Sequence, residues 1–264
     1  DGTTSTVTVN ILGTNDAAVI STATANLTET DAVLTASGTL TVTDVDSSAT
    51  FTAGTLTGTY GSLTINAAGN WTYTASSAHD EFAAGTTYSD VFTVTSADGT
   101  TSTVTVNILG TNDAAVISTA TANLTETNAA LSASGTLTVT DVDSPATFTA
   151  ATIAGTYGSL AIDAAGAWNY AASSAHDEFV AGTTYTDVFT VTSTDGTTST
   201  VTVNILGTND AAVISTATAN LTETNAILTA SGTLTISDAD SSATFTAATL
   251  TGAYGSLAID AAGA

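Results

Sequence analysis

Hydrophobic and polar residues alternate one by one through much of the chain. Ser5–Ile11, Gly38–Thr43 and Val91–Thr95 each interleave Thr with Val, Leu, Ile or Phe. A period of two sends successive side chains to opposite faces of a strand, so each run predicts a strand with one face in a core and one in water. Turn signals separate the runs. Asp98-Gly99 between two alternating segments predicts a tight hairpin, and Asn66–Gly69 ahead of Trp71 and Tyr73 predicts another. No stretch sustains a helical period. About seven strands in a little under a hundred residues, with turns at this density, predict an immunoglobulin-like β-sandwich.

The pattern also repeats. The phrase opening at Asp1 returns at Asp98 and again at Asp195, a period of 97 residues without insertion. Residues 1–97 and 98–194 differ at 15 positions, among them Asp31 against Asn128, Ser48 against Pro145 and Asn66 against Asp163. Near-copies in series suit a role that scales with the number of units, which a catalytic site rarely does. Leu-Gly-Thr-Asn-Asp at 12–16, 109–113 and 206–210 ends one alternating run and opens the next. With that phase the modules span 14–110 and 111–207, residues 1–13 are the last strand of a preceding module, and 208–264 is an incomplete module. The fold class expected is therefore all-β, with sandwich modules end to end in an extended rod. Broken modules at the ends imply either an excerpt of a longer chain or completion by strands from neighbouring identical chains.

Charge narrows the functional classes. The 264 residues include 24 Asp plus Glu, no Lys, no Arg and two His. No basic side chain is available to pair a carboxylate, so the acids need solvent, hydrogen bonds or an external cation. A polyanion without a basic patch has nothing to hold phosphates, which excludes nucleic acid as a partner and disfavours an anionic membrane surface. Disorder is excluded by an apolar fraction of 43% and a mean hydropathy of +0.31. There is no cysteine, hence no disulfide or thiol chemistry. No apolar run approaches the roughly 18 residues of a membrane span.

Strand direction decides where the acids fall. In module 14–110 the first strand runs to about Thr28 and ends on Glu29, and the second returns antiparallel to Asp44 and Asp46. Asp44 and Asp46 therefore sit beside Asn15 and Asp16 at one pole, with Glu29 at the other. His79, Asp80 and Glu81 precede the sixth strand, and the Asp98 turn joins it to the seventh, which runs down to Asn112 and Asp113. Asp80, with or without Glu81, thus joins Glu29. At the first complete junction Glu29, Asp80, Glu81, Asn112, Asp113, Asp141 and Asp143 converge. The second repeats the set with Glu126, Asp177, Glu178, Asn209, Asp210, Asp238 and Asp240. Taken singly, each acid also reads as a turn former or a solubility charge. As a set with only oxygen donors they suit Ca2+, which accepts six to eight oxygens in tolerant geometry, better than Mg2+, which demands a near-ideal octahedron. Zinc and copper would want nitrogen or sulfur, and His79 and His176 do not cluster with other such ligands.

Gly38–Asp46, Tyr60–Leu63, Gly69–Tyr73 and the terminal Ile-Leu-Gly-Thr-Asn-Asp together resemble the VCBS repeat of very large RTX-type bacterial adhesins, which is similar in plan to cadherin modules. The resemblance covers the whole chain. It implies an extracellular or cell-surface location, secretion through a type I system, and a spacer role in adhesion and biofilm formation. It also implies junctional calcium held by a Glu, an Asp-x-Asp and an Asn-Asp linker. One departure is Asn-Asp-Ala in place of the Asn-Asp-Pro common in such repeats, which implies a hinge looser without calcium.

Other chemistry reads weakly. Carboxylate pairs can serve a glycosidase, but here they recur in every module with no basic residue to tune them, so no enzyme is expected. Trp71 and Trp168, with Tyr73 and Tyr170 two residues on, read as core rather than as a carbohydrate-stacking face. His79 and His176 read as loop residues without a function. Two alternatives to a calcium-stiffened spacer remain: a subunit of a self-assembling extracellular filament completed by strand exchange, and repeats that bind glycan through calcium.

Overall fold

Nine strands form in the first repeat: β1 (Val19–Ile20), β2 (Ala23–Thr28), β3 (Thr35–Thr39), β4 (Val42–Thr43), β5 (Gly54–Thr57), β6 (Gly61–Ile65), β7 (Asn70–Ala75), β8 (Thr87–Thr95) and β9 (Thr101–Leu109). They come from a computed structural model that describes residues 1–264. Its secondary structure consists of strands and turns, without helices. Counting β1 with β2 and β3 with β4 as two interrupted strands recovers the seven expected.

One sheet has the order β3-β7-β6-β5 and the other β2-β9-β8. The first strand is interrupted because its two parts pair in different sheets, β1 with β4 in a separate two-stranded one and β2 with β9. Its opening residues pair antiparallel with β4, Val19 opposite Thr43. Beyond Ser21 the chain crosses over, and β2 runs parallel to β9 from Ala23 opposite Val104 to Thr28 opposite Leu109. Ser21 satisfies the crossing. Its N–H donates to Thr41 O at 3.0 Å, and its hydroxyl accepts from Thr41 N at 2.9 Å.

Alternation does what its period requires. Val104, Val106 and Ile108 of β9 are buried, as are Phe92 and Val94 of β8 and Trp71, Tyr73 and Ala75 of β7. These side chains from the two facing sheets make one core with Leu40, Phe51, Leu63, Ile65 and Phe82. Trp71 and Tyr73 are thus core residues. The indole of Trp71 packs on the backbone of its cross-strand partner Gly38, where a Cβ would stand 2.6 Å from Cζ2. The hairpin between β6 and β7 turns at Gly69, whose φ of 83° a side chain would oppose.

One acid sits in this core. Asp90 follows the inward phase of Phe92 and Val94 on β8 and is buried. Its carboxylate accepts from the N–H groups of Thr59 at 2.7 Å and Tyr60 at 3.0 Å. Burial and the neighbouring Asp90 charge push the Tyr73 hydroxyl up to about 12.

The second repeat has the same registers in β10 (Val116–Ile117), β11 (Ala120–Thr125), β12 (Ser132–Thr136), β13 (Val139–Thr140), β14 (Ala151–Ala154), β15 (Gly158–Ile162), β16 (Ala167–Ala172), β17 (Thr184–Thr192) and β18 (Thr198–Leu206). Its core is built from its own residues, including Leu137, Phe148, Trp168, Tyr170 and Phe189. Residues 208–264 carry β19 (Val213–Ile214), β20 (Ile236–Ser237), β21 (Ala248–Thr251) and β22 (Ser256–Ile259). Residues 1–18 form no strand, and Val7, Val9, Ile11 and Leu12 are exposed. By compactness the chain divides into two units, Asp1–Ala114 with Asp141–Pro145, and Ala115–Thr140 with Ala146–Ala264.

Candidate metal centre

Within the first unit, Glu29 extends β2 by one rung, its N–H donating to Leu109 O at 2.8 Å. It keeps the inward phase of Ala23, Ala25 and Leu27, so its carboxylate is carried inside and is 2% exposed. Thr111 supplies the donors: its N–H reaches Oε2 at 3.3 Å and its hydroxyl bonds the same oxygen. Oε1 is buried with no partner. A buried charge normally brings a counter-charge with it, and no Lys or Arg exists in this chain to provide one.

The surroundings are acidic instead. One carboxylate oxygen from each of Glu29, Asp31 and Asp113 lies within 4.8 Å of the others. Burial first, and then the charges of Glu29, Asp80, Asp31 and Asp143, raise the Asp113 carboxyl above its ordinary range. Asp143 Oδ1 accepts from Asp113 N at 3.4 Å. Asp141 organises that loop by accepting Asp143 N at 3.1 Å and Ser144 N at 2.8 Å on Oδ1, and the Ser144 hydroxyl at 2.7 Å on Oδ2. Burial opposes the charge on Asp141, but these donors outweigh it and hold its carboxyl low. Burial and the neighbouring Asp141 raise Asp143. Oδ2 of both Asp113 and Asp143 is buried without a partner.

The second unit builds a near-copy. Glu126, 2% exposed, accepts from Thr208 and leaves Oε1 unpartnered. Glu126, Asp177 and Asp210 each place an oxygen within 4.8 Å of the others. Asp210 N donates to Asp240 Oδ1 at 3.3 Å, and Asp238 accepts Asp240 N at 3.2 Å and Ser241 N at 2.8 Å. Burial and then the charges of Glu126 and Asp177 raise Asp210, against a hydrogen bond from Asn128 that lowers it. Asp177 Oδ1 and Asp210 Oδ2 are buried without partners.

Asn15, Asp16, Asp44 and Asp46 form the corresponding linker and loop at the start of the first repeat. Asp16 N donates to Asp46 Oδ2 at 3.1 Å, and the Ser47 hydroxyl to Asn15 Oδ1 at 3.1 Å. Asn112 and Asn209 donate their amides to the carbonyls of Asp113 and Asp210, at 3.1 and 2.8 Å. Glu81 and Glu178 are occupied elsewhere: each is about 60% exposed and accepts from its histidine Nδ1, His79 at 2.8 Å and His176 at 2.9 Å. His79 has a φ of 68°, stacks on Phe82 at 4.5 Å and has Nε2 2.7 Å from Tyr60 O. Burial opposes its charge, but Glu81, the Tyr60 carbonyl and Asp90 outweigh burial and raise its pKa.

Asp31 joins the cluster although strand direction does not place it there. It lies beyond the end of β2, where a two-residue period no longer assigns a face, and its only signal is the Glu-x-Asp spacing.

The donor set is all oxygen. Two oxygens bound to one calcium at about 2.3–2.6 Å lie at most about 5 Å apart, a span that the three-carboxylate groups satisfy. The buried unpartnered oxygens are what a hard divalent cation would take up. Glu29, Asp31 and Asp113 in one centre, with Asp143 bonded to Asp113, and Glu126, Asp177 and Asp210 in the other, with Asp240 bonded to Asp210, are the residues able to hold it.

The all-β sandwich repeats are modules of a cadherin-like class. Residues 15–110 and 112–207 each match the bacterial cadherin-like domain, and the chain belongs to that family. No curated protein matches it. Among solved structures it is similar to a protocadherin gammaB7 EC3-6 cis-dimer structure, with 16% identity and a TM-score of 0.48 over 86% of this chain and 57% of that one. It is also similar to mouse cadherin-23 EC22-24, with 15% identity and a TM-score of 0.42 over 75% and 68%. A third similar structure is the human desmocollin-1 ectodomain, with 15% identity and a TM-score of 0.36 over 74% and 42%. The chain spans little more than half of the first of these.

Proposed function

We propose that the repeats are a calcium-stiffened spacer in a large extracellular bacterial adhesin of the VCBS and RTX type, serving adhesion and biofilm formation rather than catalysis. The observation that carries this reading is Glu29, a buried carboxylate with one unpartnered oxygen among like charges, in a chain without a basic side chain to answer it. Its copy Glu126 makes the device periodic.

Without a cation, repulsion among Glu29, Asp31, Asp113 and Asp143 opposes close approach of the linker and the Asp141–Ser144 loop. Bound calcium would supply the missing positive charge. The linker then loses its freedom to bend, and successive modules hold a distal binding domain away from the cell. Extracellular modules of this kind bind at about 10⁻⁴–10⁻³ M, so the low-calcium cytosol leaves the chain flexible for type I export and the outside stiffens it.

Small-angle X-ray scattering and thermal melting, each with calcium and with a chelator, test the proposal. A longer maximum dimension and a higher melting temperature with calcium are expected. No change in either quantity would overturn it.

A further inference from the structure

Each close cluster holds three carboxylates, Asp31 being the third in the first and Asp177 in the second. The charges bearing on the linker aspartate nevertheless differ by one: Asp113 feels both Asp80 and Asp31, whereas Asp210 feels Asp177 alone in their place. Asp31 and Asn128 occupy equivalent places, two residues after the buried glutamate. In the first centre a carboxylate oxygen of Asp31 lies within 4.8 Å of oxygens from Glu29 and Asp113. In the second, Asn128 Nδ2 donates to Asp210 Oδ1 at 2.8 Å. The remaining acids match one for one: Glu29 with Glu126, Asp80 with Asp177, Asp113 with Asp210, Asp141 with Asp238, and Asp143 with Asp240. Asn128 therefore removes a negative charge and also aims an N–H at a lone pair that a cation would otherwise use.

We infer that Asp31 makes the two centres unequal, so that the first fills with a divalent cation at a lower concentration than the second. The inference rests on the reading of both clusters as calcium centres. That reading has its own support in each, namely a glutamate 2% exposed with Oε1 unpartnered. A unit charge 4–5 Å from a divalent ion, in a water-like dielectric at moderate salt, alters affinity about tenfold. The linkers then stiffen in order as calcium rises, and a window of concentration exists in which one is rigid and the other is not. Substitution at the residue two after the glutamate sets that order without touching the core.

Equilibrium dialysis of the full 264-residue chain against calcium chloride at fixed ionic strength reads this directly. The wild type should show two classes of site about tenfold apart. Asp31→Asn should bring the tight class down to the weak one, and Asn128→Asp should bring the weak class up to the tight one. Both positions are exposed, and each substitution installs the residue that the other repeat already carries, so circular dichroism should show folding unchanged. Calcium binding by the wild type with a tight class unmoved by Asp31→Asn would overturn the inference and leave the calcium reading intact. Absence of calcium binding by the wild type would overturn both.

Discussion

The Glu29 carboxylate is fastened to Thr111, which donates to it both its backbone N–H at 3.3 Å and its hydroxyl. The end of the first long strand and the first residue of the linker are therefore one hydrogen-bonded unit, although 82 residues separate them in sequence.

Replacing Glu29 by Gln keeps an oxygen for Thr111 and removes the buried charge. Without calcium this variant should be more stable than the wild type by about 1–3 kcal/mol, the scale of an unsatisfied buried polar group. With calcium the order should reverse in the first repeat if, as proposed, Glu29 is a ligand. Thermal melts of the two proteins in calcium and in chelator check both halves. A Gln variant less stable under both conditions would show that the charge is compensated in some other way.

The second prediction concerns Asp90, whose two oxygens accept the Thr59 and Tyr60 N–H groups at 2.7 and 3.0 Å inside the core. Asp90→Ala strands both donors and should cost about 2–4 kcal/mol in urea unfolding. Gly58→Ala should be destabilising at the same site, since a Cβ there would stand 2.5 Å from the Asp90 carboxylate. Asp90→Asn should be milder than Asp90→Ala, because one acceptor oxygen survives.

Asp195 supplies the pH dependence. Burial opposes its charge, but the Ser193 and Thr197 hydroxyls and the N–H of Ala115, at 3.0 Å, outweigh burial and hold its carboxyl well below the usual carboxylate range. A depressed folded-state pKa contributes stability that is present above the unfolded value of about 3.9 and lost as pH falls through the folded value. Asp195→Ala should therefore lower stability at neutral pH by about 1 kcal/mol. The difference from wild type should shrink as the medium is acidified below about pH 4. Urea titrations at a series of pH values measure it, and a difference that grows on acidification would contradict the assignment.

Much of the fold is legible in the alternation itself. Thr101–Leu109 reads as a half-buried strand, and its Val104, Val106 and Ile108 are inward as the period requires. Yet the identical nine residues at Thr4–Leu12 form no strand and leave Val7 and Val9 exposed. Pattern gives a segment its capacity to pair, and neighbours decide whether it does. For β9 those neighbours are β2 and β8. The interruption at Ser21 was equally hidden, since a change of sheet leaves no mark on a period of two.

At the acidic sites, strand direction was enough to group the linker with the Asp-x-Asp loop, because an antiparallel return leaves little choice of pole. Orientation within the group was not legible. Glu81 turns to His79, whose Nδ1 lies 2.8 Å from its Oε1. Asp90 does carry a signal in the sequence, an acid in phase with the inward Phe92 and Val94.

The parallel pairing of β2 with β9 has a consequence under load. The strand near the start of the repeat and the strand at its end lie side by side and point the same way, with six residue pairs in register from Ala23 to Thr28. Tension applied through the two ends of a repeat pulls these strands in opposite directions along their length, so the rungs between them are sheared together instead of opening one after another. Each core draws on its own repeat, so failure would be confined to a single module. It would release 97 residues, roughly 300 Å of chain, while the next module held.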